Sequence, residues 1–404
     1  MKKNLWIVSE VFYPDETATS YILTKVAEQF AEAFDVHVIC GPLDADCRKS
    51  NQLLDPQIHI HRCNYFAWNK NNLFTRVFRF FCISFVLIFS SFKQIKQGED
   101  VLIVTNPAPM LLLFPLLKRW KKYRLTILVH DVFPENAIAA GIIKNKNSLF
   151  YNILKHCFDK AYARADRLIV IGRDMKEVMF EKIAKYRKNT IPNIEIIENW
   201  ADIKHIKPSS FDRNAFLGLD CSNKIILQYA GNLGRVQGLM DFLQCFYESR
   251  NPNLHLCIWG EGAIEKELRQ YVKEHNIPNI SFHGVYAREM QQKILNSCDL
   301  AIVTLANGMY GLGVPSKSYN IMAAGKPILY IGNPASEIAQ TIHEKKLGIS
   351  FPNEEKQLMT FLTRLTLNDL PYLRELGRNA RISAETDYAQ SVILQKFSSS
   401  FTKI

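Results

Sequence analysis

Short apolar runs recur along this chain, each followed by polar or glycine-bearing punctuation and then by an amphipathic stretch. In the first half they fall at 4–9, 36–40, 57–62, 100–105, 124–129, 166–172 and 194–198. In the second half they fall at 224–229, 254–259, 279–282, 299–304, 327–331 and 348–351. Runs this short, rich in Val and Ile, predict strands buried on both faces. The stretches between them carry apolar residues at helical spacing. One such helix is expected to run to about Ala33, with Ile22, Val26, Phe30 and Ala33 on its apolar face. Strands alternating with helices predict an α/β fold with parallel sheets, one series in each half.

Between the two series, Asn199-Trp-Ala-Asp202 through Cys221 loses the periodicity and carries Pro208, Ser209, Ser210 and Gly218, the marks of a linker. At 404 residues the chain exceeds what one core usually holds. The expected division is a first domain over 1–202, a second over 203–385, and a terminal helix over 386–404. The tail from Glu354 reads as helical, and its last stretch, Tyr388 to Phe401, is expected to pack back across the first domain.

Composition narrows the class. Hydrophobic residues at 48% and charged residues at 22% describe a globular protein rather than a disordered one. The nine cysteines are scattered and contain no C-x-x-C pair, which argues against a disulfide framework or a zinc site and fits a reducing cytoplasm. Met1 to Ser9 superficially resembles a signal start, but its apolar run is short and Glu10 and Asp15 follow without a cleavage site. It reads as a first strand. The net charge of +11 is uneven: residues 1–200 hold 28 Lys+Arg against 20 Asp+Glu, and the remainder 22 against 19. Without a nucleic-acid motif beside it, that excess points to an anionic membrane surface.

Two loops carry candidate anion chemistry. The strand at 224–229 runs into Gly231, Gly234 and Gly238, with Arg235 among them, and a helix from Leu239 to Tyr247 follows. The strand at 299–304 leads through Gly311 and Gly313 to a small-residue helix from about Ser316 to Ala324. Ser316 and Lys317 lie on its first turn, where free N–H groups and a mobile charge favour an anion. The glycine spacing is not that of dinucleotide folds, so no nicotinamide cofactor is implied. Two such loops on parallel strands would place two anion sites along one sheet edge, which suits a diphosphate. A third tight loop, Trp259-Gly260-Glu261-Gly262, opens another helix.

The first half offers Tyr13, Asp15, Glu16 and Thr17 after the first strand, and His130 and Asp131 after the fifth. Ligands bind at such strand ends in open α/β sheets. His59 and His61 alternate on one strand face, and without a third ligand they read as a polar sheet face. The apolar stretch 73–92 contains Arg76 and Arg79, so only 80–89 is uninterrupted, which falls short of the ~20 residues that span a bilayer. It is either a buried core helix or an interfacial one with its arginines at headgroups. Met110 to Leu117 then runs into Lys118-Arg-Trp-Lys-Lys-Tyr-Arg124, five basic residues beside a Trp and a Tyr, which read as an interfacial anchor.

Laid out in order, these residues resemble the retaining nucleotide-sugar glycosyltransferases of the two-domain GT-B fold, in particular the bacterial branch that builds O-antigen and capsule repeat units. The resemblance covers nearly the whole chain. It rests on Phe12-Tyr-Pro-Asp15, His130-Asp-Val-Phe-Pro-Glu135, Asn199-Trp-Ala-Asp202, the Tyr229 to Leu239 loop, Ile258-Trp-Gly-Glu-Gly262, Val314-Pro-Ser-Lys317 and Met322 to Pro327.

The family's arrangement implies two Rossmann-like domains facing across a cleft, the second binding the nucleotide sugar and the first the acceptor. Carried over, Gly231, Asn232, Leu233, Gly234, Arg235 and Gly238, with Gly313, Ser316 and Lys317, would hold the donor diphosphate. Gly260, Glu261 and Gly262, the backbone at Gly284, Val285 and Tyr286, and Asn320 would complete the nucleotide site. Tyr13, Asp15, Glu16, Thr17 and Asp131 would meet the acceptor. His130, Arg235 and Lys317 would carry catalysis, His130 by orienting the donor sugar. Many relatives carry two glutamates eight positions apart, where this chain has Leu312 and Asn320. Many also carry Arg and Lys on the first phosphate loop, where it has Asn232 and Gln237.

The implied reaction is retaining transfer of an N-acetylated amino sugar from a UDP-sugar to a polyprenyl-diphosphate-linked saccharide at the inner face of the cytoplasmic membrane. No metal or cofactor is implied: positioned cations and helix N–H groups can stabilise the leaving diphosphate. Two other classes stay open. A sugar-nucleotide epimerase of the same fold would share the glycine loops but need a carboxylate acid/base set. A non-catalytic membrane-bound assembly partner would tolerate the missing glutamates.

Overall fold

A computed structural model describes residues 2–15, 17–43, 53–64, 73–139, 141–143, 145–186, 192–353 and 355–402, and for 73–79 and 355 the backbone alone. The chain forms two compact units. The first comprises 1–138, 143–197 and 394–404; the second comprises 139–142 and 198–393.

The first unit is built on seven parallel strands: β1 (Lys3–Ser9), β2 (Phe34–Cys40), β3 (Ile58–Arg62), β4 (Asp100–Val104), β5 (Arg124–Val129), β6 (Arg167–Val170) and β7 (Asn193–Ile196). They lie in the order β3-β2-β1-β4-β5-β6-β7. The second unit has six, β8 (Ile225–Ala230), β9 (Leu254–Trp259), β10 (Ile280–Gly284), β11 (Leu300–Thr304), β12 (Ile328–Ile331) and β13 (Gly348–Phe351), in the order β10-β9-β8-β11-β12-β13. Both are doubly wound sheets. The order reverses between β1 and β4 in one and between β8 and β11 in the other, and such reversals open a crevice at the strands' C-terminal ends.

The central strands are apolar on both faces because helices cover both. β4 is buried throughout, Leu5 and Ile7 of β1 are sealed beside it, and so are Val36 and Val38 of β2 one strand further out. In the second unit Leu227, Leu256, Ile302 and Leu329 join Phe242 and Phe246 of the helix Leu239–Ser249 in one core. The first helix runs Ala18–Ala31 and buries Leu23, Val26, Ala27 and Phe30. It stops short of Ala33, which lies beyond it and is exposed. Thr17 starts it as an N-cap, its Oγ1 accepting from Ser20 N at 3.1 Å.

The stretch from Asn199 to Cys221 is no free linker; it belongs to the second unit. It contains a short helix, Arg213–Leu217, and Arg213 forks onto Asp299 at 2.7 and 2.9 Å. Ala201 N donates to Tyr388 O at 2.7 Å.

The last helix, Gln390–Thr402, crosses from one unit into the other, and its residues from 394 complete the first. Phe397 and Phe401 close on Phe30 at 6.4 and 4.7 Å between ring centroids. Arg167 donates to Ser400 Oγ at 2.7 Å with its guanidinium 5.0 Å over the Phe401 ring, and Ser400 bonds in turn to Glu195.

The helix Leu73–Gln94 is two-faced. Ile83 and Leu87 are sealed, whereas Phe81, Phe85, Phe89 and Phe92 are exposed. Its neighbour Pro109–Lys121 exposes Leu116 and Trp120, the latter 80% accessible. Among the described residues no helix is long and apolar enough to cross a membrane. The basic cluster is smaller than its sequence suggests. Lys118 is taken by Asp166 at 2.6 Å and by the Arg164 carbonyl, and Arg124 by Asp100 at 2.5 Å. Tyr123 is a core residue, its hydroxyl donating to Phe114 O at 2.6 Å. Arg119, Lys121 and Lys122 are the basic residues left over.

Phe401→Ala removes the ring that Phe30 and Arg167 pack against. It should lower the stability of the first unit by about 3 kcal/mol, read as an earlier urea midpoint for that unit; an unchanged midpoint would show that the last helix is only loosely docked.

Candidate functional site

In the second unit the candidate site is built by backbone first. Strands β8, β9 and β10 end level with one another, and their loops are stitched together. Gly231 N donates to Trp259 O at 3.0 Å, Leu233 N to Glu261 O at 2.9 Å, and Gly260 N to Gly284 O at 2.7 Å. Gly260 sits at φ +118°, and a Cβ there would fall on the Gly231 carbonyl oxygen. A Cβ on Gly262 would lie 2.5 Å from Leu233 O. Only glycine permits this approach. Gly238, at φ +64°, turns the chain into the helix Leu239–Ser249 while lying against Ala306, and Ala306 N donates to Val236 O at 2.9 Å. The loop after β8 is thereby tied to the loop after β11, across the point where the strand order reverses.

Lys317 rises under this loop. It is the first residue of the helix Lys317–Ala323, and its Nζ lies 3.6 Å from the Tyr229 ring centroid and 3.3 Å from where a Gly231 Cβ would stand. That Nζ is sealed from water and, among the described residues, has no hydrogen-bond partner. An ammonium buried without an anion is costly, so burial pulls its pKa down to about 7. The ring face of Tyr229 supplies one compensating attraction. Tyr229 itself is fixed by its hydroxyl, which donates to Asn232 O at 2.7 Å. The sequence placed Tyr229 in a motif but gave it no role; the fold shows this strand residue packed against the lysine.

The other expected donor residues fall into three groups. Gly231, Gly234, Gly238, Gly260 and Gly262 form the close-packed loops, with Asn232 and Glu261 exposed on them. Leu233 is fully buried with its N–H and carbonyl both spent, which makes it a core residue rather than a contact. Asn320 is also spent in part, its Oδ1 accepting from Asp202 N at 3.1 Å to hold the Asn199–Asp202 turn. Arg235 is 60% exposed on a short 3-10 turn, its nearest charge being Glu267 at 3.9 Å. Ser316 precedes the lysine helix and is exposed, Gly313 lies in the loop before it, and Val285 is 64% exposed. Tyr286 stands edge-on to Trp259, which stacks on His283 at 4.2 Å.

In the first unit the expected residues gather at the C-terminal ends of β1 and β5. Tyr13 precedes a cis proline and accepts from Arg62 through its carbonyl. Asp15 is buried, Thr17 is occupied as a helix cap, and Glu16 lies outside the described residues. His130 and Asp131 donate their backbone N–H groups to Thr105 Oγ1 at 3.3 and 3.2 Å, which ties the loop after β5 to the end of β4. Burial pushes the His130 imidazole down to about 4, so it is neutral at physiological pH. Burial raises the pKa of Asp131, against the hydrogen bond it takes from Asn136 at 2.7 Å.

Beneath that loop lies a charge network the sequence did not disclose. Lys182, 4% exposed, reaches Glu135 and Asp159, each at 2.6 Å, and Lys155 and Lys185 close on the same carboxylates. Glu135 follows directly on the His130–Pro134 segment, so the network anchors that segment's far end. The histidine pair on β3 also gained a member: His37 Nδ1 lies 3.2 Å from His61 Nε2, and His37 stacks on Trp6 and His59. Among the described residues no group of three His, Cys, Asp or Glu is placed to hold a metal ion. The chain does contain one Asp-x-Asp sequence, Asp44-Ala-Asp46, outside the described residues.

Two doubly wound parallel sheets, one in each unit, are the arrangement expected of a GT-B fold. The comparisons agree. The family model "Glycosyl transferases group 1" matches residues 217–383, and "Glycosyltransferase Family 4" matches 20–204. The chain is 32% identical over 399 residues to the probable glycosyltransferase WbjE of Pseudomonas aeruginosa, covering 97% of this chain and 96% of that one. It is 27% identical over 180 residues, 43% of this chain and 42% of the other, to the putative colanic acid biosynthesis glycosyl transferase WcaI of Escherichia coli K12. Its fold matches Anabaena Alr3699/HepE, crystallised with UDP and glucose, at TM-score 0.73 over all of both chains with 14% identity. This chain belongs to the GT-B glycosyltransferases.

Gly260→Ala tests the loop seam. The new methyl cannot coexist with the Gly231 carbonyl, so the variant should lose more than ~1 kcal/mol of stability, seen as a lower melting temperature of the second unit. A variant as stable as the parent would mean that the loops pack less tightly than described.

Proposed function

We propose that this glycosyltransferase moves a sugar, an N-acetylated amino sugar, from a UDP-linked donor to a polyprenyl-diphosphate-linked saccharide, with retention of configuration and without a metal ion. It would act peripherally at the inner face of the cytoplasmic membrane, in O-antigen or capsule synthesis. The observation that carries the donor half is the Lys317 amine, buried beneath a glycine loop and without a hydrogen-bond partner among the described residues. The matched HepE structure holds UDP, and WcaI is described as a colanic acid biosynthesis enzyme, which agree with a sugar nucleotide and a surface polysaccharide.

The mechanism follows from charge. Departure of the diphosphate places negative charge where Lys317 waits, and a fixed cation in a dry site stabilises that charge without reorganisation. Exposed Arg235 can swing onto the outer phosphate. A neutral His130 can donate or accept one hydrogen bond at a sugar hydroxyl. In the reaction we propose, the acceptor hydroxyl oxygen bonds to the anomeric carbon as the bond from that carbon to the diphosphate breaks, and the departing phosphate takes the hydroxyl proton.

The acceptor half is supported by the exposed rings of Phe81, Phe85, Phe89 and Phe92 beside Trp120. Lys93 and Lys121 stand 4.3 and 4.6 Å over the rings of Phe89 and Phe92. Apolar groups rimmed by cations suit the headgroup boundary of an anionic bilayer.

The donor site should be proton-linked. In the free protein Lys317 has a pKa of about 7, and a bound diphosphate raises it. Below pH 7 the amine is already charged and this dependence is flat; above it, binding must draw a proton from solvent. UDP affinity should therefore fall by up to about tenfold per pH unit above 7, until the raised pKa of the complex is reached. Calorimetry between pH 6.5 and 9 reads this directly. Lys317→Met should bind UDP more weakly and lose the dependence; equal pH profiles for the two proteins would remove Lys317 from the site.

Membrane binding is tested by cosedimentation. The chain should bind vesicles containing anionic lipid, bind neutral ones less, and be released as salt rises. Reversing the charges of Arg119, Lys121 and Lys122 together should weaken binding by roughly 1 kcal/mol per residue with the melting temperature kept. Wild-type protein that ignores anionic vesicles at low salt would point to a soluble acceptor.

A further inference from the structure

The second unit has a cavity that the donor reading does not use. It lies where β11, β12 and β13 end, has a volume of about 190 Å³, and is lined chiefly by Asn307, Met309, Tyr310, Asn333, Pro334 and Asn353. Neither the Gly231–Gly238 loop nor Lys317 contributes to it. Among the described residues its wall carries no Asp, Glu, Lys, Arg or His. A phosphate or a metal ion would find no opposite charge there, so a charged ligand is disfavoured.

The wall is nevertheless rich in hydrogen-bonding groups that internal bonds leave partly unspent. Asn353 Nδ2 donates to Leu305 O at 3.2 Å and to Asn307 Oδ1 at 3.0 Å, which among the described residues leaves Asn353 Oδ1 as an acceptor and Asn307 Nδ2 as a donor. Asn333 Oδ1 accepts from Ala335 N at 2.8 Å, which leaves its Nδ2 as a second donor. Because a carbonyl must meet a donor and an N–H an acceptor, these partners fix which way the Asn353 and Asn333 amides face. Met309, Pro334 and the Tyr310 ring supply apolar wall between them. The rim is rigid: Gly332 N donates to Phe351 O at 3.0 Å, and Ser336 Oγ to the Tyr330 hydroxyl at 2.8 Å.

Neutral donors and an acceptor around an apolar wall complement a molecule with hydroxyls on its edge and C–H groups on its face. The volume is below the ~300 Å³ at which drug-sized pockets begin, so it suits a single ring and not a nucleotide. We propose that this cavity is a carbohydrate subsite taking one uncharged sugar ring. The ring could come from the donor or from a glycan. The inference stands on the cavity and does not need the donor and acceptor assignments above.

The test uses the full chain and free sugars. Saturation-transfer NMR with glucose, galactose and N-acetylglucosamine, each with and without UDP, should show at least one of them bound, above a sorbitol control. Asn307→Ala with Asn333→Ala should weaken that binding about tenfold, the loss of one to two hydrogen bonds, with UDP affinity and melting temperature kept. Should the pair fold poorly, Asn307→Ala alone serves: the residue is exposed, and Asn353 still bonds Leu305 without it. If the ring is the donor's, the variant also narrows the affinity gap between UDP-N-acetylglucosamine and UDP. If it is a glycan's, that gap is unchanged while free-sugar binding falls. No sugar binding above the control, binding that survives the substitutions, or displacement by inorganic phosphate would each overturn the proposal.

Discussion

Everything in the second unit's site depends on two peptide backbones being closer than side chains allow. The carbonyl of Gly231 occupies the place where a Cβ of residue 260 would be, and Leu233 crowds Gly262 in the same way. This seam holds the loop after β8 low over the sheet, which is what seals the Lys317 amine against Tyr229 and away from water. Loosened by an ångström, the seam would admit water; the amine would then be hydrated and ordinarily basic, a screened cation that gains less from meeting an anion. Backbone packing thus sets side-chain chemistry here.

The first unit solves its placement problem with charge rather than contact. The His130–Pro134 segment is held at one end by Thr105 Oγ1 and at the other by Glu135, itself gripped by Lys182 and Lys155. Such a network stabilises little net of desolvation, but it is directional, and removing one member strands the others. A segment tethered at both ends keeps the histidine in one place while leaving its ring without a hydrogen bond among the described residues.

The alternation of strands and helices was legible because buried parallel strands must be apolar on both faces, and all thirteen runs proved to be strands. The glycine loops were legible because glycine is demanded by geometry and cannot be replaced silently. What stayed hidden were relations between distant positions. Nothing adjacent to Lys118 or Arg124 reveals that Asp166 and Asp100 consume their charges, so the basic cluster looked larger than it is. Tyr123 looked interfacial beside Trp120, yet one faces the core and the other water. His37 could not be joined to His59 and His61 until the register of β2 against β3 was known. Asn320 looked like a ligand contact because its position in the motif suggested one, while its amide braces the turn at Asp202.

The return of residues 394–402 to the first unit has a consequence for synthesis. A chain emerging from the ribosome presents all seven strands of the first unit long before Phe397, Ser400 and Phe401 exist. Until then Phe30 lacks two of its ring neighbours, and Arg167 lacks both the hydroxyl and the aromatic face that cover it. The second unit, whose strands are contiguous in sequence, must therefore be made before the first can be finished. The N-terminal unit is begun first and completed last.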